Sequence, residues 1–403
     1  MTNRLYETDG MLRECSAVIT GYEEINGCHY ITLDQTVFAP EGGGQKADRG
    51  FLYPVADGKV SPPDEQNRIT LLDGQDKIKG CTLEGPIYRI SEKLTPGTSV
   101  LCKLDWDLRF MRMQQHSGEH ILSGLVHQHF GYNNISFHLS DTEPVIVCFD
   151  GILNEDDIAK IEAMANQTIY VNLPIRVSFP DKTELSRIEY RSKIEIQGQV
   201  RLVTIPGVDI CACCAPHLMS TGQIGLIKIV SMQSYKGGTQ LNILCGQRAL
   251  ALLKNEHDIL AGLAREYSTS VEQLTDAILT QREEGKKAKE ELASLTEAQL
   301  LKTIDEMPET AIPCLFAPSL SPHAMKICYN ALTQKYERYC GVFNGDDETG
   351  YQFYAGHPAL DSMQLAVRIR EDLSGKGGGS KEMIQGKLAK KEEEIRLFFQ
   401  NLS

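Results

Sequence analysis

At 403 residues the chain is too long for one ordinary hydrophobic core, and two or three domains are expected. Its 41% hydrophobic and 24% charged residues are a globular composition; no run nears the ~20 apolar residues of a membrane span and the polar start has no signal-peptide core, which excludes a membrane protein and points to the cytoplasm. The formal charge of −13 excludes broad, sequence-blind affinity for nucleic acid, so an RNA partner would be held by few, placed contacts.

Residues 1–95 read as a β-rich domain, with short β-branched runs at 16–22, 29–33, 68–72 and 87–89 separated by Gly, Pro and Asp. Between them lies Pro40-Glu41-Gly42-Gly43-Gly44-Gln45-Lys46-Ala47-Asp48-Arg49-Gly50. Three consecutive glycines free the backbone to take positive φ and approach another surface, and Glu41, Gln45 and Asp48 flank them at fixed offsets. The stretch is either a functional loop or a flexible hairpin.

Residues 96–247 read as an α+β domain. A helix starts near Trp106, capped by Asp105 or Asp107, and ends near Gly131. Strands are predicted at 135–139 and 145–149, a helix at 155–167, and strands at 171–178, 194–196, 200–205, 225–231 and 240–245. From 248 to 305 the pattern turns helical and charged. A heptad-like seam runs through Val271, Leu274, Ile278, Gln281, Gly285, Ala288, Leu292 and Leu295, with Gln281 and Gly285 weakening its middle. It predicts a long helix or helical hairpin that serves as a spacer and could join a homodimer.

Residues 306–403 read as a small α/β domain, with strands at 311–317, 339–343 and 350–354 and helices at 323–336 and 361–373. Gly375-Lys376-Gly377-Gly378-Gly379-Ser380 follows, with a last helix from Lys381 towards Phe399. A glycine loop opening onto a helix start suits a phosphate, because unpaired N–H groups and the helix dipole point at the anion. Five lysines against one glutamate between Gly375 and Lys391 run counter to the acidic chain. The alternative is a solvated lysine face beside a floppy loop.

Two stretches carry the chemistry. Gln115-His116-Ser117-Gly118-Glu119-His120 places two imidazoles one helical turn apart on one face. Cys213-Cys214-Ala215-Pro216-His217 offers a thiolate and a third imidazole. Three nitrogens and one sulfur make a tetrahedral zinc set from His116, His120, Cys213 and His217. Spacing to His217 favours Cys213, with Cys214 and Cys211 as substitutes. The twelve cysteines, about 3% of the chain, are far below a disulfide scaffold.

These stretches, with the Pro-Glu-Gly-Gly-Gly-Gln loop, resemble the AlaX family, free-standing relatives of the editing domain of alanyl-tRNA synthetase. The segment Gly377-Gly378-Gly379-Ser380-Lys381-x-Met383-x-Gln385-Gly386 looks like the synthetase's tail domain, and the whole chain is similar to the long form of AlaX. The resemblance implies an α+β multi-domain fold: an N-terminal β-barrel, a zinc editing domain, a helical spacer and a C-terminal α/β domain that binds tRNA or dimerises. It implies hydrolysis of tRNA for alanine mischarged with serine or glycine. On that reading Glu41, Gly42, Gly43, Gly44, Gln45 and Asp48 meet substrate, and Lys376, Gly377, Gly378, Gly379 and Lys381 meet tRNA. Glu119 would act as general base or face solvent, and Ser117 would touch substrate or pack. Ser136 and His138 are expected to read the seryl hydroxyl. Two rivals remain. His116-x-x-Glu119-His120 also fits an inverted-zincin metallopeptidase, and a non-catalytic RNA-binding protein could carry structural zinc.

Overall fold

The computed structural model describes residues 2–56, 59–60, 68–192 and 198–402. It is a multi-domain α+β chain that divides into two compact units, Met1–Leu260 and Ala261–Ser403.

The first unit opens with six antiparallel strands: β1 (Glu14–Ile25), β2 (Cys28–Leu33), β3 (Gly50–Ala56), β4 (Ile69–Gln75), β5 (Ile87–Ile90) and β6 (Ser99–Leu104). They pair in the ring β1-β2-β5-β4-β3-β6, and β6 returns to β1, so the sheet closes into a barrel. Closure removes the sheet edges that an open β-domain would have to protect. Inward residues alternate along each strand: in β6, Val100, Cys102 and Leu104 are buried while Ser99 and Lys103 face out. Ile19, Ile31, Leu33, Phe38, Leu52, Leu71 and Tyr88 fill the interior. The two strands absent from the sequence expectation are β3, whose Pro54 argues against a strand by pattern, and β6, which closes the barrel beyond residue 95.

Helix α1 (Trp106–Phe130) leaves the barrel directly. Of its two proposed caps, Asp105 accepts from the Leu108 amide, and Gly131 ends the helix in the left-handed region at φ 72°. Nearly every side chain from Arg109 to Val126 is buried, including polar ones, and these are spent on neighbours. Gln115 exchanges two hydrogen bonds with the Cys245 backbone, at 2.6 and 2.9 Å. Arg109 forms an ion pair with Asp48, and both side chains are essentially inaccessible.

Around α1 stand an antiparallel sheet, β7 (Asn134–His138), β8 (Val145–Phe149), β13 (Gly238–Cys245) and β12 (Ile227–Tyr235) in that order, and the helix α2 (Glu155–Val171). A second sheet holds β9 (Arg176–Ser178), β10 (Leu202–Ile205) and β11 (Asp209–Ala212). The strand expected at 171–178 is shorter than that reading, because α2 runs on to Val171 and stops at Asn172, φ 54°. The strand expected at 194–196 lies outside the described residues.

Helix α3 (Gly246–Glu266) crosses the division between the units, and α4 (Leu274–Glu306) follows a turn in which Ser268 has φ 51°. Val271, at the head of the expected seam, therefore lies before α4. In the second unit β14 (Cys314–Ala317), β15 (Cys340–Asp346), β16 (Gly350–Gly356), β18 (Ile384–Leu388) and β17 (Lys376–Gly379) form one sheet in that order. Helices α5 (Pro322–Lys335), α6 (Ser362–Leu373) and α7 (Glu392–Gln400) accompany it. This corrects the tail. The glycine run is no loop at a helix N-terminus: it is the edge strand β17, paired with β18, and the last helix begins at Glu392. A Cβ at Gly377 or Gly379 would stand 2.2 Å from Gln385 O or 2.3 Å from Met383 O, so the strand pairing itself calls for glycine at these two positions, while Gly378 faces open space.

Candidate functional site

Two segments of the first unit converge on α1. His116 and His120 project from one face of the helix, with ring centroids 5.3 Å apart. Beyond β11 the chain turns back through Cys213 and His217, and the His217 ring centroid lies 4.6 Å from that of His116 and 4.5 Å from that of His120. Zinc bond lengths of ~2.0–2.3 Å imply tetrahedral donors roughly 3.3–3.8 Å apart. The Cys213 sulfur is 3.3 Å from Nε2 of His217 and 3.6 Å from Nε2 of His116. One donor atom from each of the four residues lies within 4.8 Å of the others, a group that could hold a metal ion.

The orientation of the rings strengthens the fit. Each imidazole has its Nδ1 engaged away from the cluster: His116 on Gln45 Oε1 at 3.2 Å, His217 on Ser117 Oγ at 3.1 Å, His120 on Asp209 Oδ2 at 3.0 Å. Such outer contacts fix the tautomer and turn Nε2 inward, as metal-binding histidines require. Asp209 is itself clamped by Arg191, whose Nε and Nη2 donate to its two oxygens at 2.7 and 2.9 Å. Burial alone would push the Asp209 carboxyl up, but hydrogen bonds from His120 and Arg191 more than offset this and hold it below the usual range. Burial pushes the Cys213 thiol up. Burial, then the neighbouring His120 and His116, push the His217 imidazole well down. A divalent cation is the charge that would compensate a thiolate in such a place. A second trio, His120, Asp209 and Cys211, is also compact, but Arg191 already occupies both oxygens of its carboxylate.

The glycine loop is built for close approach. Gly42 and Gln45 exchange backbone hydrogen bonds at 3.1 and 3.0 Å across Gly43 (φ 61°) and Gly44 (φ 79°), a tight turn in which both central residues need positive φ. A Cβ at Gly44 would stand 2.6 Å from the Phe137 ring, which stacks on His116. The turn thus brings Gln45 onto His116 and lays Gly43 and Gly44 along a cavity of about 540 Å³. His116, Glu119, His120, Arg201 and Cys213 also line that cavity. Arg201 fixes the cysteine turn by donating to the carbonyls of Cys213 and Ala215 at 2.7 and 2.9 Å.

Other expected site residues fall elsewhere. Glu119 does not face solvent: it is buried and accepts from Ser123 Oγ at 2.6 Å and from Asn134 Nδ2. Ser117 is fully buried on His217, so it orients a ring and does not reach the cavity. Ser136 and His138 are exposed on β7, because strand alternation turns Phe137 to the site and its neighbours away. Glu41 is exposed, and Asp48 is consumed by Arg109 and the Ala39 amide, so neither lines the cavity. Asn134, Asp209, Arg191 and Arg201 went unread in the sequence. Their roles rest on contacts across the fold, Asp209 with His120 and Arg191, Asn134 with Glu119, and Arg201 with the cysteine turn, which no spacing along the chain announces.

Residues 200–241 match the family described as the threonyl and alanyl tRNA synthetase second additional domain, a span that includes Cys213 and His217. The chain is 26% identical to the alanyl-tRNA editing protein Aarsd1-A of Xenopus laevis over 92% of its own length and 88% of that protein. It is 26% identical to the alanyl-tRNA editing protein AlaX-L of Pyrococcus horikoshii, with 98% and 96% covered. Against the alanine–tRNA ligase of Methanopyrus kandleri it is 27% identical over 73% of this chain but 32% of the ligase. The likeness to the two editing proteins covers 92% and 98% of this chain and 88% and 96% of theirs, whereas only 32% of the ligase is covered, so the long-form AlaX family fits what the chain is similar to.

Proposed function

We propose that the chain is a trans-editing hydrolase that removes serine, and glycine as a second substrate, from mischarged tRNA for alanine, with zinc held by His116, His120, Cys213 and His217. The carrying observation is the cluster of three anchored imidazoles and one sulfur opening onto a cavity of about 540 Å³. The relatives' names give the substrate class. On this reading residues 1–95, 96–247, 248–305 and 306–403 act as barrel, editing domain, helical spacer, and tRNA-binding or dimerising tail.

An aminoacyl ester is a reactive substrate, so the site needs strict selection more than force. Bound zinc would supply Lewis-acid polarisation of the ester carbonyl. The chain does the rest. The Gly43–Gly44 wall admits the ester close to the rings, and Arg201 and Gln45 keep the donors in register. In this reading Glu119, which accepts from Ser123 and Asn134 and lines the cavity, takes the proton of the attacking water at its carboxylate. The cavity also favours a working site over purely structural zinc, since three of the four donors line it. A metallopeptidase of the inverted-zincin type would need a carboxylate as third ligand, and here Cys213 and His217 complete the set.

The test is incubation with seryl-, glycyl- and alanyl-tRNA for alanine, following ester loss with and without chelator. Chelator-sensitive loss of the seryl ester is expected. Intact seryl ester after incubation with the zinc-loaded protein would rule the reading out.

A further inference from the structure

Beside the cavity at the metal cluster lies a second one of about 790 Å³, lined among others by His127, Asn134, Tyr190, Pro206 and Asp209. The two share Arg191, Ser192 and Cys211 as a common wall. Both volumes fall in the ~300–1,000 Å³ range of ligand pockets, and each has room for one nucleoside. Arg191 is held in that wall from several sides. Its amide donates to Ile210 O at 2.8 Å, and its carbonyl accepts from the Ala212 amide at 2.9 Å. Its guanidinium spends Nε and Nη2 on Asp209, so Nη1 is the nitrogen turned from the carboxylate. Burial would lower its pKa, but Asp209 outweighs burial and the group stays charged.

We infer that the second cavity takes the nucleotide preceding the terminal one in a single-stranded RNA 3′ end, with Arg191 on the phosphodiester that joins the two. The inference rests on the editing reading, which puts the terminal aminoacyl nucleoside in the first cavity. A substrate whose last two nucleotides occupy adjoining cavities must pass its phosphate over the wall between them, and Arg191 is the wall's cation. A guanidinium suits that role, since it offers a phosphate oxygen a charge-assisted N–H donor at fixed geometry. Tyr190 and His127 supply rings for a base to stack on, a contact that tolerates any sequence. Of the second cavity's two carboxylates, Asp209 is held by both His120 and Arg191 and turned to them, and Glu189 is exposed at the rim, where salt screens it; Glu119 faces the first cavity, on the far side of the wall. In a chain of charge −13, such a placed cation is the means by which a polyanion can be admitted.

The test uses the full zinc-loaded chain and two non-hydrolysable probes, 3′-serylamino-3′-deoxyadenosine and the same nucleoside extended by a 5′-linked cytidylate. The dinucleotide should bind roughly tenfold more tightly, as one stacked base and one phosphate contact would provide. Raising salt should erode that advantage. Tyr190→Ala, which leaves Asp209 and the metal donors alone, should cut it to about twofold. Arg191→Gln should remove the salt-sensitive part, with zinc content measured in parallel because Arg191 also braces Asp209. Equal affinity of the two probes for the native protein would overturn the inference while leaving the editing reading intact. Failure of the mononucleoside itself to bind would overturn both. An advantage retained in full by both variants would assign the second nucleotide to another surface.

Discussion

At the scale of single residues, the site depends on side chains that stand behind the candidate metal donors. Gln45, Ser117 and Asp209 each occupy one imidazole nitrogen, and so decide which nitrogen is offered to a metal. Removing such a partner typically costs 10–100-fold in metal affinity. Gln45→Ala should therefore release zinc to a chelator about 10–100 times more readily, while circular dichroism stays unchanged. Of the three neighbouring cysteines, only Cys213 has its sulfur among the three rings, whereas Cys214 is exposed at the cavity lip. Metal analysis should find about one zinc per native chain, almost none in Cys213→Ala, and full content in Cys214→Ala. Loss of zinc from Cys214→Ala alone would assign the ligand to the other cysteine.

At the scale of elements, α1 is the part both halves of the first unit share. Asp48 after the glycine turn and Arg109 on α1 join barrel to helix through a pair with side chains 1% and 0% exposed. Breaking a buried pair by deleting one partner leaves an uncompensated charge and costs ~3–5 kcal/mol. Asp48→Ala should lower stability by about that amount in urea titration. A change under 1 kcal/mol would mean that Arg109 is satisfied by the Gly10 and Val37 carbonyls alone. Asp141 plays a parallel part with the buried Arg112. Its hydrogen bonds from Arg112 hold the carboxyl below its usual range, so its folded-state pKa is depressed. The stability it adds is present above the unfolded value of ~4 and lost as pH falls through the folded one. Asp141→Asn should therefore flatten the acid limb of the stability–pH curve. In the tail, the lysines of β17 and β18 stand on paired strands, Lys376 opposite Lys387. Deleting the chain after Asp305 should leave ester hydrolysis in place, weaken tRNA binding and reduce its salt dependence. Unchanged affinity would make the tail a folding or dimerising element.

For the whole molecule, selectivity is the property on which the editing reading stands. The correct alanyl ester differs from the seryl one by a single hydroxyl. Leaving a buried polar group without its partner costs on the order of 1–3 kcal/mol, so the seryl ester should be cleared roughly ten- to a hundredfold faster than the alanyl one. Glu119→Gln, which removes the base, should slow both esters together and leave their ratio standing, and His120→Ala should abolish both activities. Ser136→Ala should change neither, because its side chain faces solvent on β7. Equal clearance of the two esters by the native protein would sink the editing role.

Much of this was decided locally and could be read in the residues. The helix from Asp105 to Gly131 carries its own caps and periodicity, and His116 and His120 share a face because the helical repeat makes them do so. The Cys213–His217 spacing and the glycine run are likewise short-range facts, and they suffice for a metal set and a tight turn. Non-local pairing settled the rest. Closure of the barrel by β6 depends on partners far away in sequence, Glu14–Val18 on one side and Gly50–Pro54 on the other, and pattern along one strand cannot reveal it. The face that β7 turns inward follows from a register shift between Asn134 and Ser136 against β8; it brings Asn134 and Phe137 to the site and leaves Ser136 and His138 outside. The glycines of the tail read as an anion loop or as a floppy loop beside a lysine face, and it is their pairing with β18 that makes them an edge strand. Asp209 and Arg191 meet His120 because β11 packs on α1 at Gly124, where a Cβ would stand 2.7 Å from that of Asp209. The chain alone named three histidines and a run of cysteines; which cysteine joins them, and which way each side chain faces, was fixed by the contacts around them.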